Sequence, residues 1–138
     1  MPDQPAGAIV LDADVASRSF KGLLPAPLAA RLVGRQPIVT FVTVGELTQW
    51  TRLRDWGPRR RGPLDDWLAD KPVLAGSKAV ARLWGELSAT ATRRGRPRPV
   101  NDTWIAACCL AYGLPLATLN VKDFADFADH DGLTLITR

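Results

Sequence analysis

A three-layer α/β domain, with a central parallel sheet covered by helices on both faces, is what three features of this 138-residue sequence predict. Short apolar runs alternate with helical patterns, and that order requires parallel strands joined by right-handed crossovers. The run Ala8-Ile9-Val10-Leu11 is apolar at consecutive positions, as a strand buried on both faces must be. It ends abruptly in Asp12-Ala13-Asp14, so two acids stand at the carboxyl end of a strand, the edge of an open α/β sheet where ligands collect.

The remaining elements follow in order. Residues 15–20 make a short helix, and Pro25-Ala26-Pro27 opens another to about Val33, since a first turn tolerates proline; Gly34 closes it. Residues 37–41 read as a second buried strand. Thr43 with Glu46 three residues on has capping-box spacing for a helix reaching Trp56. Gly57 and Pro58 break that helix, residues 59–69 form another, and 72–74 hold a marginal strand. In 77–94, Val80, Leu83, Trp84 and Leu87 recur at helical spacing behind a Ser77 cap. The loop Gly95-Arg96-Pro97-Arg98-Pro99 leads to Asn101, read as the cap of a helix that carries Asp102 in its first turn and stops at Gly113 in a left-handed conformation. Residues 115–118 are a strand, 120–124 a loop entering a short helix, and 133–137 a last strand.

A chain of this length fits one domain, 1–138, burying roughly two-thirds of its unfolded surface. Adjacent Cys108 and Cys109 in an apolar run suit reduced, packed thiols and hence the cytoplasm. The polar stretch 2–7 does not resemble a signal peptide, and Gly113, Pro115 and Asn120 interrupt the longest uncharged run, so no membrane segment is expected. The net charge is +4, with arginines clustered at Arg52, Arg54, Arg59, Arg60, Arg61 and at Arg93, Arg94, Arg96, Arg98. Such patches can neutralise phosphates, or they are solvated faces of a chain rich in alanine, arginine, glycine and proline.

The acids carry the functional signal. Only two are glutamates, and Glu46 lies in an apolar context at the entry to a helix that follows a strand. Asp12 ends a strand, while Asp102 and Asp123 each start a helix. Singly, Glu46, Asp102 and Asp123 fit helix N-termini, and Asp14 fits a loop. Together, four carboxylates on one rim repel unless a cation sits between them. Oxygen ligands without histidine or thiolate suit Mg²⁺ or Mn²⁺, and His130, in Asp129-His130-Asp131-Gly132, reads as part of a surface turn. A carboxylate-held Mg²⁺ activates water for attack on phosphorus, which with the arginines points to a phosphodiester substrate.

Four motifs carry a family resemblance. Val10-Leu11-Asp12-Ala13-Asp14-Val15, Thr43-Val44-Gly45-Glu46-Leu47, Asn101-Asp102-Thr103-Trp104-Ile105-Ala106-Ala107 and Thr118-Leu119-Asn120-Val121-Lys122-Asp123-Phe124 together resemble the PIN-domain ribonucleases, specifically the VapC toxins of type II toxin–antitoxin pairs. The resemblance spans nearly the whole chain in the same order. It implies a PIN-like domain acting as an Mg²⁺-dependent (or Mn²⁺-dependent) endoribonuclease, a homodimer, and inhibition by a cognate VapB-type antitoxin. By position it implies Asp12, Glu46 and Asp102 as metal-site acids. The fourth position falls to Asp123, leaving Asn120, which stands where some members have an acid, as a polar ligand or water-positioner. Asp14 departs from the commoner asparagine or serine, and Thr118 is expected to hydrogen-bond within the site.

Two rival readings remain at this stage. Asp12-Ala13-Asp14 imitates the nucleophile and general-acid pair of a haloacid-dehalogenase-like phosphatase, for which Lys122-Asp123 is a poor downstream match and Glu46 has no task. The other is a non-catalytic RNA-binding module that uses the arginines, with Arg59, Arg60 and Arg61 as the densest candidate contact. Trp50, Trp56, Trp67, Trp84 and Trp104 are either packed or available for stacking on unpaired bases.

Overall fold

A computed structural model describes residues 7–138; most of the polar stretch 2–7 lies outside the described residues. The elements in chain order are β1 (Ala8–Leu11), α1 (Ala13–Lys21), α2 (Ala26–Leu32), β2 (Gln36–Thr40), α3 (Phe41–Leu53), α4 (Pro58–Ala69), β3 (Val73–Leu74), α5 (Lys78–Arg93), α6 (Val100–Tyr112), β4 (Leu116–Ala117), α7 (Val121–Asp131) and β5 (Leu135–Ile136). The described strands form one parallel sheet in the order β3-β2-β1-β4-β5. The α/β expectation therefore holds.

Alternation along β1 sorts the core into two. Val10 points to the side of α5, α6 and α7, where it meets Leu87, Ile105, Phe124 and Phe127. Ile9 and Leu11 point the other way, onto Val15, Leu28, Leu47 and Leu64 from α1 to α4. Each such fully buried aliphatic side chain stabilises the fold by about 1.5–3 kcal/mol. Cys108 and Cys109 are buried free thiols in the first of these cores; burial pushes Cys108 up to about 11 and Cys109 higher.

The chain order places the site. From β1 the chain winds through β2 to β3 on one side, then returns to β4 on β1's other side. The sheet's switch point thus falls between β1 and β4, and the helices leave a crevice outside the strand ends there. Asp12 follows β1 and Thr118 follows β4, so both stand at that crevice.

Several helix starts differ from the sequence-based expectation. The cap of α3 is Thr40, whose hydroxyl accepts from the Thr43 amide at 3.2 Å; Phe41 is already helical, so Glu46 belongs to the second turn and no capping box forms. A threonine at the end of a buried strand caps as well as one three residues later, and the strand's end at the sheet edge decides between them. α6 begins at Val100 with Pro99 in the cap position, so Asn101 is within the first turn rather than the cap. Pro99, extended at ψ 142°, supplies no side-chain cap. His130 lies in the last turn of α7, 3.3 Å from Asp126, and the turn begins only at Gly132. The caps at Ser77 and the left-handed stop at Gly113 (φ 66°) are as read from the sequence.

Candidate active site

Asp12 is the hub. It is buried and caps α1: one carboxylate oxygen accepts from the Val15 amide at 2.8 Å, and the other from the Thr118 hydroxyl at 2.5 Å. Thr118 Oγ1 in turn accepts from the Asn120 amide at 2.9 Å. One threonine hydroxyl therefore ties the end of β1 to the loop that starts α7. Replacing Thr118 with valine removes both bonds at nearly constant volume and should cost about 2 kcal/mol. Urea unfolding of Thr118→Val beside Thr118→Ser measures this; an equal loss in the serine variant would assign the effect to packing instead of the hydroxyl.

Asp12, Asp14, Glu46, Asp102 and Asn120 line one open pocket with Trp50, Ile105 and Phe124. Asp14 sits in the first turn of α1, not in a loop, and pairs with Arg18 at 3.1 Å, which partly neutralises it. Asp123 is exposed and accepts from Asn120 Nδ2 at 2.7 Å, so Asn120 faces the pocket and Asp123 backs it.

Three of these carboxyls, those of Asp12, Glu46 and Asp102, resist ionisation. Burial, the largest cause, raises Asp12 against the hydrogen bonds from Thr118 and Val15, and Asp14 raises it further. Glu46 is raised by burial and then by Asp12. Asp102 is pushed up to about 6 by burial and then by the charges of Asp123, Glu46 and Asp12. No ion pair engages Glu46 or Asp102 among the described residues. Glu46 and Asp102 thus carry the repulsion of neighbouring acids with no ion pair to offset it among the described residues.

The donor set fits a hard divalent cation. Its atoms are carboxylate and amide oxygens, with no nitrogen or sulfur ligand. Among the described residues no three acids are drawn together tightly enough to cage a metal by themselves. Mg²⁺ itself keeps much of its water and takes only one or two carboxylates directly. Asp12, Glu46 and Asp102 would hold it, directly or through its waters.

The arginine clusters divide. Arg94 and Arg98 bond Asp126, so much of the second cluster is internal structure and not a free phosphate-binding patch. In the first, Arg59, Arg60 and Arg61 lie on α4, with Arg60 stacked over Trp56 at 4.4 Å. Trp50 walls the acidic pocket and also an apolar one with Phe20, Leu47, Trp56 and Leu64. Trp84 and Trp104 stack on each other, and Trp67 meets Phe20 edge-on, so the tryptophan faces are largely spent on packing.

Neither a protein-family model nor a curated protein sequence matches the chain. Solved structures do. A chain of VapBC-5 from Mycobacterium tuberculosis, a member of the VapBC family of toxin-antitoxin systems, is 29% identical over 97% of this chain and 100% of its own, with TM-score 0.71. The fold is that of a PIN-domain VapC. VapBC-1 of nontypeable Haemophilus influenzae matches with TM-score 0.76 at 24% identity, covering 93% of this chain and 96% of that one. VapBC2 of Rickettsia felis, bound to a DNA fragment from its promoter, matches with TM-score 0.78 at 18% identity over the same shares. In this VapC fold the acids stand at the β1/β4 switch point. The family motif leads to the expectation that Thr118 hydrogen-bonds within the site, and it does; nothing local announces that its partner is Asp12, 106 residues away.

Proposed function

We propose that the protein is the toxin of a VapBC-type pair: a single-domain endoribonuclease that hydrolyses RNA phosphodiester bonds with Mg²⁺, or Mn²⁺ in its place. The observation that carries this reading is the crevice lined by Asp12, Glu46 and Asp102, whose carboxyls are raised and none of which is ion-paired among the described residues. The likeness to VapBC-5 supports it. A bound divalent cation supplies an activated water and neutralises charge on the leaving oxygen. The chain's own part is to present that cation's ligands. Thr118 and the Val15 amide hold Asp12 in one orientation, and Asn120, steered by Asp123, offers an amide at the pocket mouth for a water or a phosphate oxygen. Asp123 further acts through its charge on Asp102.

The partners that follow are an RNA substrate, a VapB-type antitoxin and a second copy of the chain. Buried reduced thiols accord with a cytoplasmic setting, and no described helix is long and apolar enough to cross a membrane. Exposed Arg59, with Arg60 and Arg61 beside it on α4, is the proposed contact to the RNA backbone.

The test is incubation of the purified protein with total bacterial RNA in Mg²⁺, Mn²⁺ or EDTA. Discrete fragments that require metal are expected, and RNA affinity should lose about one unit of salt slope per arginine neutralised on α4. Absence of cleavage on every RNA tried, with retention of RNA, would favour a binding module. The phosphatase reading gains nothing from the site: both oxygens of Asp12 accept hydrogen bonds, and Asp14, its would-be proton donor, is tied to Arg18.

A further inference from the structure

The first turn of α6 carries Asp102, yet this helix has no side-chain cap: Pro99 fills the cap position, and the adjacent Asn101 makes no capping bond. An uncapped first turn frays unless something outside the helix holds it. What precedes it is unusual. The Arg98 side chain is only 4% exposed, although it ends in a guanidinium. Its Nε donates to Asp126 Oδ2 at 2.7 Å, its Nη2 donates to the Asp126 carbonyl at 3.3 Å and stands 2.8 Å from Asp131 Oδ2, and its plane lies 4.0 Å over the Phe127 ring. Asp126, Phe127 and Asp131 are all on α7. Burial opposes ionisation of Asp126, but Arg98, with His130 and Arg94, holds it below the ordinary carboxylate range. A buried guanidinium is tolerated only where it is paired in this way, and the fork's fixed plane then sets a geometry as well as a charge.

We infer that Arg98 is a positioning residue: it clamps the start of α6 to α7 and thereby sets Asp102 against Asn120 and Asp123. The path is short and stiff. Next to Arg98, Pro99 has φ −56°, and its carbonyl accepts both the Thr103 amide at 3.1 Å and the Thr103 hydroxyl at 2.8 Å. Beyond the clamp, Phe127 packs in the same core as Ile105 and Phe124, and those two side chains line the acidic pocket. The other end of α7 is tied to Asp12 through the Asn120 amide and Thr118. Arg98 thus does for Asp102 what Thr118 does for Asn120. Its consequence for a cation rests on the metal-site reading above; the clamp itself does not.

Arg94 supplies the control, because it bonds the same Asp126 carboxylate at 3.2 Å from the end of α5 but is not next to the α6 start. Arg98→Met and Arg94→Met, made in the full chain and shown to be folded by circular dichroism, are compared for amide exchange at residues 103–105 and for Mn²⁺ affinity by electron paramagnetic resonance of the free ion. In Arg98→Met, exchange should quicken and the Mn²⁺ dissociation constant should rise, each by about tenfold or more, with changes under about twofold in Arg94→Met. Arg98→Lys, which keeps the charge without the fork, should show the same exchange defect and serves if the methionine variant does not fold. Unchanged exchange in the Arg98 variants, or equal loss in Arg94→Met, overturns the clamp. A wild-type chain that holds no Mn²⁺ overturns the metal reading instead, and the exchange data then decide the clamp alone.

Discussion

Asp102→Asn is expected to abolish metal-dependent RNA cleavage while making the metal-free protein more stable. The two effects have one cause. Asp102 is held to about 6 against an ordinary 3.8 by burial and by Asp123, Glu46 and Asp12. A carboxyl whose folded value is raised binds its proton more tightly folded than unfolded. Its stabilising contribution is therefore present below about 3.8 and lost as pH rises through about 6, so at neutral pH the ionised group works against the fold. Asparagine removes that charge at constant shape. Asp102 is only half-buried, so solvent screening reduces the gain to about 1 kcal/mol, or about 4 °C in melting temperature with EDTA present. In the reaction the same charge is indispensable: loss of a ligand to the activating cation forfeits several kcal/mol, or about 10³-fold in rate. Asp12→Ala separates the two roles in the other direction. It should lose the activity and also stability, because it deletes the α1 cap, worth about 1 kcal/mol, and leaves the Thr118 hydroxyl without its acceptor. Thermal melts in EDTA beside cleavage assays read both; an Asp102→Asn variant that melts lower than wild type would show that its carboxylate is not under repulsion.

The second large effect is stabilisation by the cation itself. At pH 8 and a Mn²⁺ concentration of about 100 times the dissociation constant, the folded state should gain about 2.7 kcal/mol, a rise of roughly 10 °C that EDTA reverses. Below about pH 6 the gain should fade, since the proton on Asp102 competes for the same oxygens; affinity then falls by up to about tenfold per pH unit. Asp12 and Glu46, raised as well, steepen the loss. Scanning fluorimetry from pH 5 to 8 with Mg²⁺, Mn²⁺ and EDTA reports the curve. A melting temperature indifferent to both metals across that range would remove the cation from the pocket.

How far the site was legible depended on whether a residue's role is local. Asp12 could be read because an apolar run that stops at an acid marks a strand end in any α/β fold, and Asp102 because an acid in a helical first turn has its own signature. Glu46 was found for its rarity and context, but its register was read one turn early, since Thr40 and Thr43 are equally good caps and only the end of β2 chooses between them. For the arginines before α6 the sequence leaves a phosphate-binding patch and a solvated face equally open, because it counts charge without showing its partner; Asp126 and Asp131 lie a full helix away. Asp123 is the sequence's choice over Asn120 because it is the acid, but three residues apart at a helix start they differ in which way the turn presents them, and it is Asn120 that lines the pocket.

By itself the sequence determined the α/β class, the parallel sheet and the acids at its carboxyl edge, because strand and helix periodicity and end signals are set by neighbours a few residues apart. Tertiary structure alone decided how those acids are held: Thr118 bridging Asp12 to Asn120, Asp123 placed behind the pocket, and Arg98 buried between α6 and α7. Each of these is a contact between residues brought together only by the strand order or by helix packing, and no local pattern encodes which distant partner a hydroxyl or guanidinium will meet.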